Sequence, residues 1–416
     1  MRVLFYQERC APGGISTFIQ SMCIALKEAG VDCAAFFERD EGDFTRLSRS
    51  TPAHLGSINP LSQLLRERPV DVIHTTLSSA SVSLPKKLHR IGWRGRLIVT
   101  GQGVVIPGWH SKNCFALTNV NTKQATELES LTDLEVEVIY NGIDTSVFQP
   151  TEYIGGAPIV AWVGRASDFE QKRFDLFADI VPALHQAGVR IWVADPEGPN
   201  AVPPSLRDRI SPYVDFWDGL SRDRMPGFYR DVAASGGCVL STARYEGLSF
   251  ALIEAQACGC PVVAARVVGV DEGVREEYGG TLYSPDLDAA GIGQLLLNTM
   301  SDRARMIERG RKCREFVLKE FQQSEIARQY LDIYRRTTQR LAIATSDIHN
   351  RRHRAQDLIA ATRCASWSFR EDLGAIRAAV AIDPTQKWNA TVWRLYVTSL
   401  LKELAFPIIK RLRSKK

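Results

Sequence analysis

Short runs rich in β-branched and aromatic residues alternate with stretches of helical periodicity from the start of this chain, and the rhythm begins a second time after residue 158. "VLFY" leads through "QERCAPGG" into "ISTFIQSMCIALKEAG", where Ile15, Phe18, Ile19, Met22, Ile24, Ala25 and Leu26 recur at roughly helical spacing and Gly30 closes the segment. "VDCAAFF", "DVIHTT", "RLIVTG" and "EVEVIY" read as further strands. Strands that alternate with helices predict a parallel, doubly wound α/β sheet, because each helix carries the chain back before the next strand starts.

"TSVFQPTEYIGGAP", residues 145–158, is rich in turn formers and breaks the alternation, so a linker is expected there. "IVAWVG", "VRIWVAD", "VDFWDG", "GGCVLSTA" and "PVVAARVV" then read as a second sheet. The expectation is two Rossmann-like domains facing a cleft, spanning 1–150 and 151–321, with a helix at about 322–340 completing the first and a helical extension over 341–416. Open sheets of this kind bind ligands at the carboxyl ends of their strands, so the cleft is the expected site.

Charge separates the body from the tail. Residues 1–150 hold 15 Lys and Arg against 15 Asp and Glu, residues 151–340 hold 23 against 26, and residues 341–416 hold 14 against 6. The basic surplus lies in the last segment, so no nucleic-acid partner is expected for the two domains. In "TVWRLYVTSLLKELAFPIIKRLRSKK", Trp393, Val397, Leu400, Leu401 and Leu404 share a helical face, followed by Lys410, Arg411, Arg413, Lys415 and Lys416. Such a helix suits an anionic membrane surface, or equally docks on the body with a solvated basic end. "MRVLFYQERC" reads as a first strand, and no run of about 18 uncharged apolar residues is present. The nine cysteines are scattered, and Cys258 and Cys260 have no second pair to complete a zinc set. These features predict reduced thiols and a cytoplasmic protein, peripheral on the membrane if the tail binds there.

The stretch "RYEGLSFALIEAQACGCPVVAA", residues 244–265, carries the strongest chemical signal. Glu246 is placed at a strand's carboxyl end, just before a helix amino terminus near Leu248 and Ser249. Free N–H groups and the helix dipole make that terminus an anion site, and Ser249 is a candidate cap and phosphate donor. Glu254 falls in the second turn among Ala251, Leu252, Ile253, Ala255 and Ala257, with cysteine at its i+4 position. One reading puts it on a wet helix face; the other has it accept hydrogen bonds from two vicinal hydroxyls such as those of a ribose. In "WVGRASDFEQKRFDLFADI", Arg165 and Lys172 leave a strand end, where two cations suit a diphosphate but also occur as ordinary loop charges. "APGGIS" places Gly13 and Gly14 at a helix start, and Asn141-Gly142 in "VIYNGIDTSVF" marks a turn beside the linker. Asp286 and Asp288 form an Asp-x-Asp at a helix start, read as capping and not as a metal site.

Together these segments resemble the GT-B glycosyltransferases, specifically glycosyltransferase family 4, over about residues 1–340. Glu246-Gly247-Leu248-Ser249-Phe250-Ala251-Leu252-Ile253-Glu254-Ala255, followed by Cys258-Gly259-Cys260-Pro261-Val262-Val263, looks like the family's paired-glutamate signature. "NGID" with Phe148, Gly164-Arg165 with Lys172 to Asp175, and "GVDEGV…YGGTLY" match further family segments. The resemblance implies a retaining, hexosyltransferase-type enzyme acting on a nucleotide-diphosphate sugar, with a glycan or lipid-linked acceptor and no cofactor or metal. It implies that Arg165 and Lys172 hold the diphosphate and that Glu254 holds the ribose. Glu246, Gly247, Leu248 and Ser249 then contact donor sugar and phosphate, and Gly13 and Gly14 line the opposite wall.

Departures from the family pattern are mild at Ser249, where many members carry glycine, and larger at Gln102, where members often carry histidine. Gln102 hydrogen-bonds but is no general acid. His74 matches another family histidine and, with Gln102, is a candidate for the acceptor side. A nicotinamide dehydrogenase is disfavoured because Gly101 and Gly103 are followed by Ile106 where a third glycine belongs, late in the domain. A sugar-nucleotide epimerase on the same scaffold and a non-catalytic nucleotide-sugar-binding protein are the remaining alternatives.

Overall fold

The computed structural model describes residues 1–93, 95–103, 114–132, 134–218 and 222–339. The basic extension expected over 341–416 lies outside the described residues. The first sheet has seven strands: β1 Arg2–Cys10, β2 Asp32–Asp40, β3 Ala53–Leu55, β4 Val72–Thr76, β5 Arg96–Gly101, β6 Ala116–Asn119 and β7 Val136–Val138. The second has six: β8 Ile159–Val163, β9 Arg190–Asp195, β10 Val214–Asp218, β11 Cys238–Ser241, β12 Val262–Ala265 and β13 Thr281–Tyr283. Their orders are β3-β2-β1-β4-β5-β6-β7 and β10-β9-β8-β11-β12-β13, and every pairing is parallel.

Parallel strands covered on both faces read as near-continuous apolar runs, because alternate side chains enter different cores. In β1, Val3 and Phe5 join one core while Leu4 and Tyr6 join the other. In β8, Ile159 and Ala161 face one layer, and Val160 and Trp162 face the opposite one.

The chain crosses between domains twice, side by side. Ile143 N–H donates to the Phe321 carbonyl (2.7 Å), and Gln323 N–H donates back to the Ile143 carbonyl (3.0 Å). The helix Gln323–Gln339 then returns to the first domain, where Ile326, Ala327, Tyr330 and Tyr334 pack with Phe18, Ile19 and Met22 of the helix Gly14–Glu28. Arg314 secures the linker from the helix Arg303–Glu320, donating to the carbonyls of Phe148, Thr145 (2.9 Å) and Ala257 (2.7 Å). The described cysteines are buried free thiols. No helix among the described residues is long and apolar enough to cross a membrane.

Candidate active site

Strand order reverses between β1 and β4 in the first sheet and between β8 and β11 in the second. A crevice opens where neighbouring connections leave in opposite directions, so ligands gather outside the strand ends at such switch points. Gly13-Gly14 follows β1, Gly164-Arg165 follows β8, and Glu246 to Ser249 follow β11. The sequence-predicted groups therefore occupy the switch points of both sheets.

The chain leaving β8 is pinned by Asp195 at the end of β9. Its Oδ2 accepts from Ala166 N–H at 2.7 Å and its Oδ1 from Glu197 N–H at 2.8 Å, and burial pushes its carboxyl up. Arg165 projects from this loop, 3.8 Å from Asp168 Oδ2. Lys172 ends the short helix Phe169–Lys172, and Arg173 turns the chain in the left-handed region (φ 50°) before the helix Phe174–Gln186. A β-carbon makes that conformation costly, by roughly 1–2 kcal/mol, so neighbours must hold it. Thr242, just past β11, does so: its hydroxyl reaches the carbonyls of Lys172 (2.7 Å) and Arg173 (3.1 Å). Lys172 Nζ thereby meets Glu246 Oε1 at 2.5 Å, with Gln171 Nε2 3.3 Å from the other oxygen.

Glu246 and Glu254 are only 7% and 6% exposed, which decides against a solvated helix face for Glu254. Glu254 lies on the helix Phe250–Ala257, with Arg222 Nη2 at 3.4 Å from Oε1 and the Tyr229 hydroxyl donating to Oε2 at 3.4 Å. Burial pushes its carboxyl up, while Arg222 and the Tyr229 hydrogen bond pull it down.

The first domain supplies the opposite wall. A β-carbon on Gly13 (φ 149°) would lie 4.0 Å from Arg165 Nη1, and one on Gly14 would lie 3.7 Å from the Phe250 ring. A β-carbon on Gly247 would come within 2.1 Å of the Gln102 carbonyl oxygen, so glycine alone permits the two domains to touch there. Gln124 Nε2 donates across the gap to the Glu246 carbonyl at 3.2 Å. Arg165 and Phe250 thus lie against Gly13 and Gly14, Gly247 lies against Gln102, and Glu246 with its partner Lys172 stands beside the same interdomain contact.

Two expected placements change. His74 does not face an acceptor: it is fully buried, with Nδ1 2.7 Å from the Tyr334 hydroxyl and Nε2 2.6 Å from Thr100 Oγ1. Phe5, Phe18 and Tyr330 pack around its ring, because the returning helix Gln323–Gln339 covers this end of β4. Ser249 stands at the cap position of its helix but makes no side-chain capping bond. Its backbone is extended as at an ordinary helix cap, and its hydroxyl bonds none of the first N–H groups of Phe250–Ala257. Gln102 does reach the crevice; its Oε1 accepts from Asn141 Nδ2 at 3.0 Å, and its Nε2 has no partner among the described residues. Asp288 caps the helix Ala289–Met300 through Gly291 N–H at 2.8 Å. Among the described residues no group of three or more His, Cys, Asp or Glu is placed to hold a metal ion.

Sequence reasoning missed Arg222, Thr242, Asp195 and Glu272. Asp195 ends a predicted strand in "VRIWVAD", a position that signals loop anchoring. Glu272 accepts from Thr122 N–H and hydroxyl (both 2.9 Å) and from the Tyr140 hydroxyl (3.1 Å), joining the second domain to the first. Nothing local in "SRDRMPG" marks Arg222 as a partner of Glu254, since that contact is made only by folding.

The sequence and the fold are also similar to those of known proteins. Residues 157–302 match the family described as Glycosyl transferases group 1. The chain is 28% identical over 333 residues to a D-inositol 3-phosphate glycosyltransferase of Mycobacterium marinum, covering 75% of this chain and 67% of that protein. It is 29% identical over 230 residues to an alpha-maltose-1-phosphate synthase of Mycolicibacterium smegmatis, covering 49% of this chain and 57% of that one. The chain thus spans about half to two thirds of the length of these relatives. Among solved structures, Anabaena HepE with UDP-glucose superposes with a TM-score of 0.66 at 17% identity, over 81% of this chain and 100% of that one. A sucrose-phosphate synthase from Thermosynechococcus elongatus gives a TM-score of 0.65 at 18% identity, over 81% and 98%. The fold is the two-domain fold of these solved structures, and within the second domain residues 157–302 are similar to the group 1 glycosyl transferases.

Proposed function

We propose that this protein is a retaining glycosyltransferase that moves a hexosyl group from a nucleoside-diphosphate donor to a hydroxyl of a glycan or lipid-linked acceptor. The observation that carries this reading is that Arg165, which lies against Gly13, and the Lys172–Glu246 pair both stand on the loops that leave the strands at the second sheet's switch point. Breaking the bond between the anomeric carbon and phosphate leaves negative charge on the diphosphate while positive charge builds on the sugar ring. Arg165, Lys172 and the uncapped N–H groups of Phe250–Ala257 are fixed before reaction where the leaving charge develops, and such preorganised groups stabilise it most in a water-poor cleft. On this reading they take the part a divalent cation plays elsewhere, and Glu254 accepts hydrogen bonds from the ribose hydroxyls. Gln102 has no proton to exchange near neutral pH. The acceptor hydroxyl therefore gives its proton to the departing phosphate oxygen on the same face of the sugar.

UDP-glucose, held by HepE, is the first donor to screen. The test is release of nucleoside diphosphate from a panel of donors and acceptors in EDTA, with product configuration read by NMR. Transfer with retention supports the proposal; an inverted product or full dependence on added metal overturns that part of it. An epimerised nucleotide sugar without transfer would select the epimerase alternative, and tight donor binding without turnover a binding protein. The proposal extends to the basic tail as an anchor on the cytoplasmic membrane face. Removal of residues 388–416 should abolish co-sedimentation with anionic liposomes, and equal binding of the truncated chain would reject the anchor.

A further inference from the structure

Each carboxylate of the paired-glutamate segment is met by a cation of its own. Lys172 serves Glu246, and Arg222, which begins the short turn Arg222–Arg224, serves Glu254. The side chains of Arg222 and Glu254 are 21% and 8% exposed, so the charge contact is screened far less than a surface pair. The Arg222 guanidinium carbon also lies 5.9 Å from the centre of the Phe250 ring. Phe250 in turn lies against Gly14, so Arg222 and the glycine turn share Phe250 as a neighbour.

One donor of this guanidinium is unused. Nη2 faces Glu254, whereas Nη1 is buried and has no hydrogen-bond partner among the described residues. A buried donor without an acceptor is costly, and that cost persists in native structures chiefly where a ligand or water completes the bond.

We propose that Arg222 is the positioning residue of the donor nucleoside: it holds Glu254 as an ionised, fixed acceptor for the ribose, and donates through Nη1 to an oxygen of the same bound nucleoside. This rests on the reading that Glu254 receives the ribose hydroxyls. An ionised carboxylate accepts from two vicinal hydroxyls at once, whereas a protonated one loses part of that capacity. The titratable groups facing Glu254 are Arg222 from the preceding turn, Tyr229 from the helix Met225–Ala234 and Cys258 from its own helix. Burial pushes the Tyr229 phenol far up and the Cys258 thiol to about 12, so neither changes charge near neutrality. Arg222 is therefore the charged group that, with the Tyr229 hydrogen bond, partly offsets the desolvation of Glu254.

The test compares wild type, Arg222→Met, Arg222→Lys and Glu254→Gln for donor KM, kcat and the pH profile of kcat/KM, with melting temperature as a check on folding. Arg222→Met should raise donor KM by about tenfold or more, the size of a lost charge-assisted contact, with a smaller change in kcat. Its acidic limb should move to higher pH, because Glu254 then binds a proton more readily. Arg222→Lys should restore the limb but not the full affinity, since a single ammonium cannot span both partners. A 2′-deoxy donor should bind wild type more weakly than the ribose donor, and Glu254→Gln should erase that difference. If Glu254→Gln binds both donors as wild type does, the ribose reading fails. If Glu254→Gln is impaired while Arg222→Met keeps the wild-type KM and acidic limb, the role of Arg222 fails and the ribose reading stands.

Discussion

Lys172 Nζ sits 2.5 Å from Glu246 Oε1, with the two side chains 19% and 9% exposed. Neither group is local to the other: Lys172 leaves β8 through the Phe169–Lys172 turn, and Glu246 leaves β11. A part-buried ammonium already paired with a carboxylate is held in place while no donor is bound. An incoming diphosphate adds charge to a site whose geometry needs no rearrangement. Lys172→Ala should therefore lower kcat/KM by about 100–1000-fold, the usual cost of removing one such contact. The melting temperature should fall only modestly. Lys172→Arg should recover little, because a planar fork does not fit where one nitrogen meets one oxygen. Steady-state kinetics decides the matter, and a tenfold or smaller loss in Lys172→Ala would show that the diphosphate is held elsewhere.

The placement of Lys172 depends in turn on Thr242. Its hydroxyl reaches the Lys172 and Arg173 carbonyls and takes the Trp162 indole N–H at 3.2 Å. Valine has the same shape and no hydroxyl, so Thr242→Val leaves buried polar groups without partners. The expected cost is about 1–3 kcal/mol of stability. Loosening the left-handed Arg173 turn also displaces the ammonium, and an ångström of misplacement costs on the order of 100-fold in rate. Urea unfolding and kcat measured at 20 °C below the melting temperature separate the two effects; unchanged kcat in the folded variant would remove Thr242 from the positioning chain.

The two-sheet architecture and the position of the crevice were readable because strand periodicity and turn residues report them directly. The positions of Glu246 after a strand and of Glu254 within the next helix followed from the same local cues. Three strands were missed: β3, β6 and β13 have three or four residues each, too few for a period. In β6, Thr118 and Asn119 are buried polar residues, and Thr118 bonds to Thr100 at 2.6 Å, so polarity there carries no signal of exposure. His74 was misplaced for the opposite reason. Its strand was clear, but the helix that buries it returns from residues 323–339, some 250 positions away. Arg222 escaped notice for the same cause, since its value depends on Glu254, 32 residues on.

Glu272 bridges the two domains. It accepts from the backbone N–H and hydroxyl of Thr122, at the amino terminus of the helix Thr122–Ser130, and from the Tyr140 hydroxyl. A carboxylate at a helix amino terminus gains from the dipole as well as from the hydrogen bonds, by about 0.3–1 kcal/mol at an exposed site. Glu272→Ala should shift the free protein toward a more open arrangement, raise its radius of gyration in X-ray scattering and increase donor KM several-fold. Saturating donor should restore the compact form. Identical scattering curves for variant and wild type without donor would show that closure is held by other contacts, such as Gln124 with the Glu246 carbonyl.

His74 makes the stability of the first domain sensitive to acid. Burial lowers its imidazole from the usual 6.5 to about 3, so it stays neutral between the Tyr334 and Thr100 hydroxyls. In the unfolded chain the same ring binds a proton below about 6.5. Between roughly pH 6.5 and 3 the unfolded state therefore holds one proton more than the folded state, and stability falls as pH falls. The slope from this one group is about 1.4 kcal/mol per pH unit. His74→Gln keeps a donor and an acceptor but has no proton to gain, so it is less stable at pH 7.5 yet lacks this acid-dependent loss. The gap between the two proteins, measured by urea unfolding at pH 7.5, 6 and 5, should narrow by about 1.4 kcal/mol from pH 6 to 5. Parallel curves across that interval would mean that His74 is protonated in the folded protein, and its burial beneath the Gln323–Gln339 helix would then need a different account.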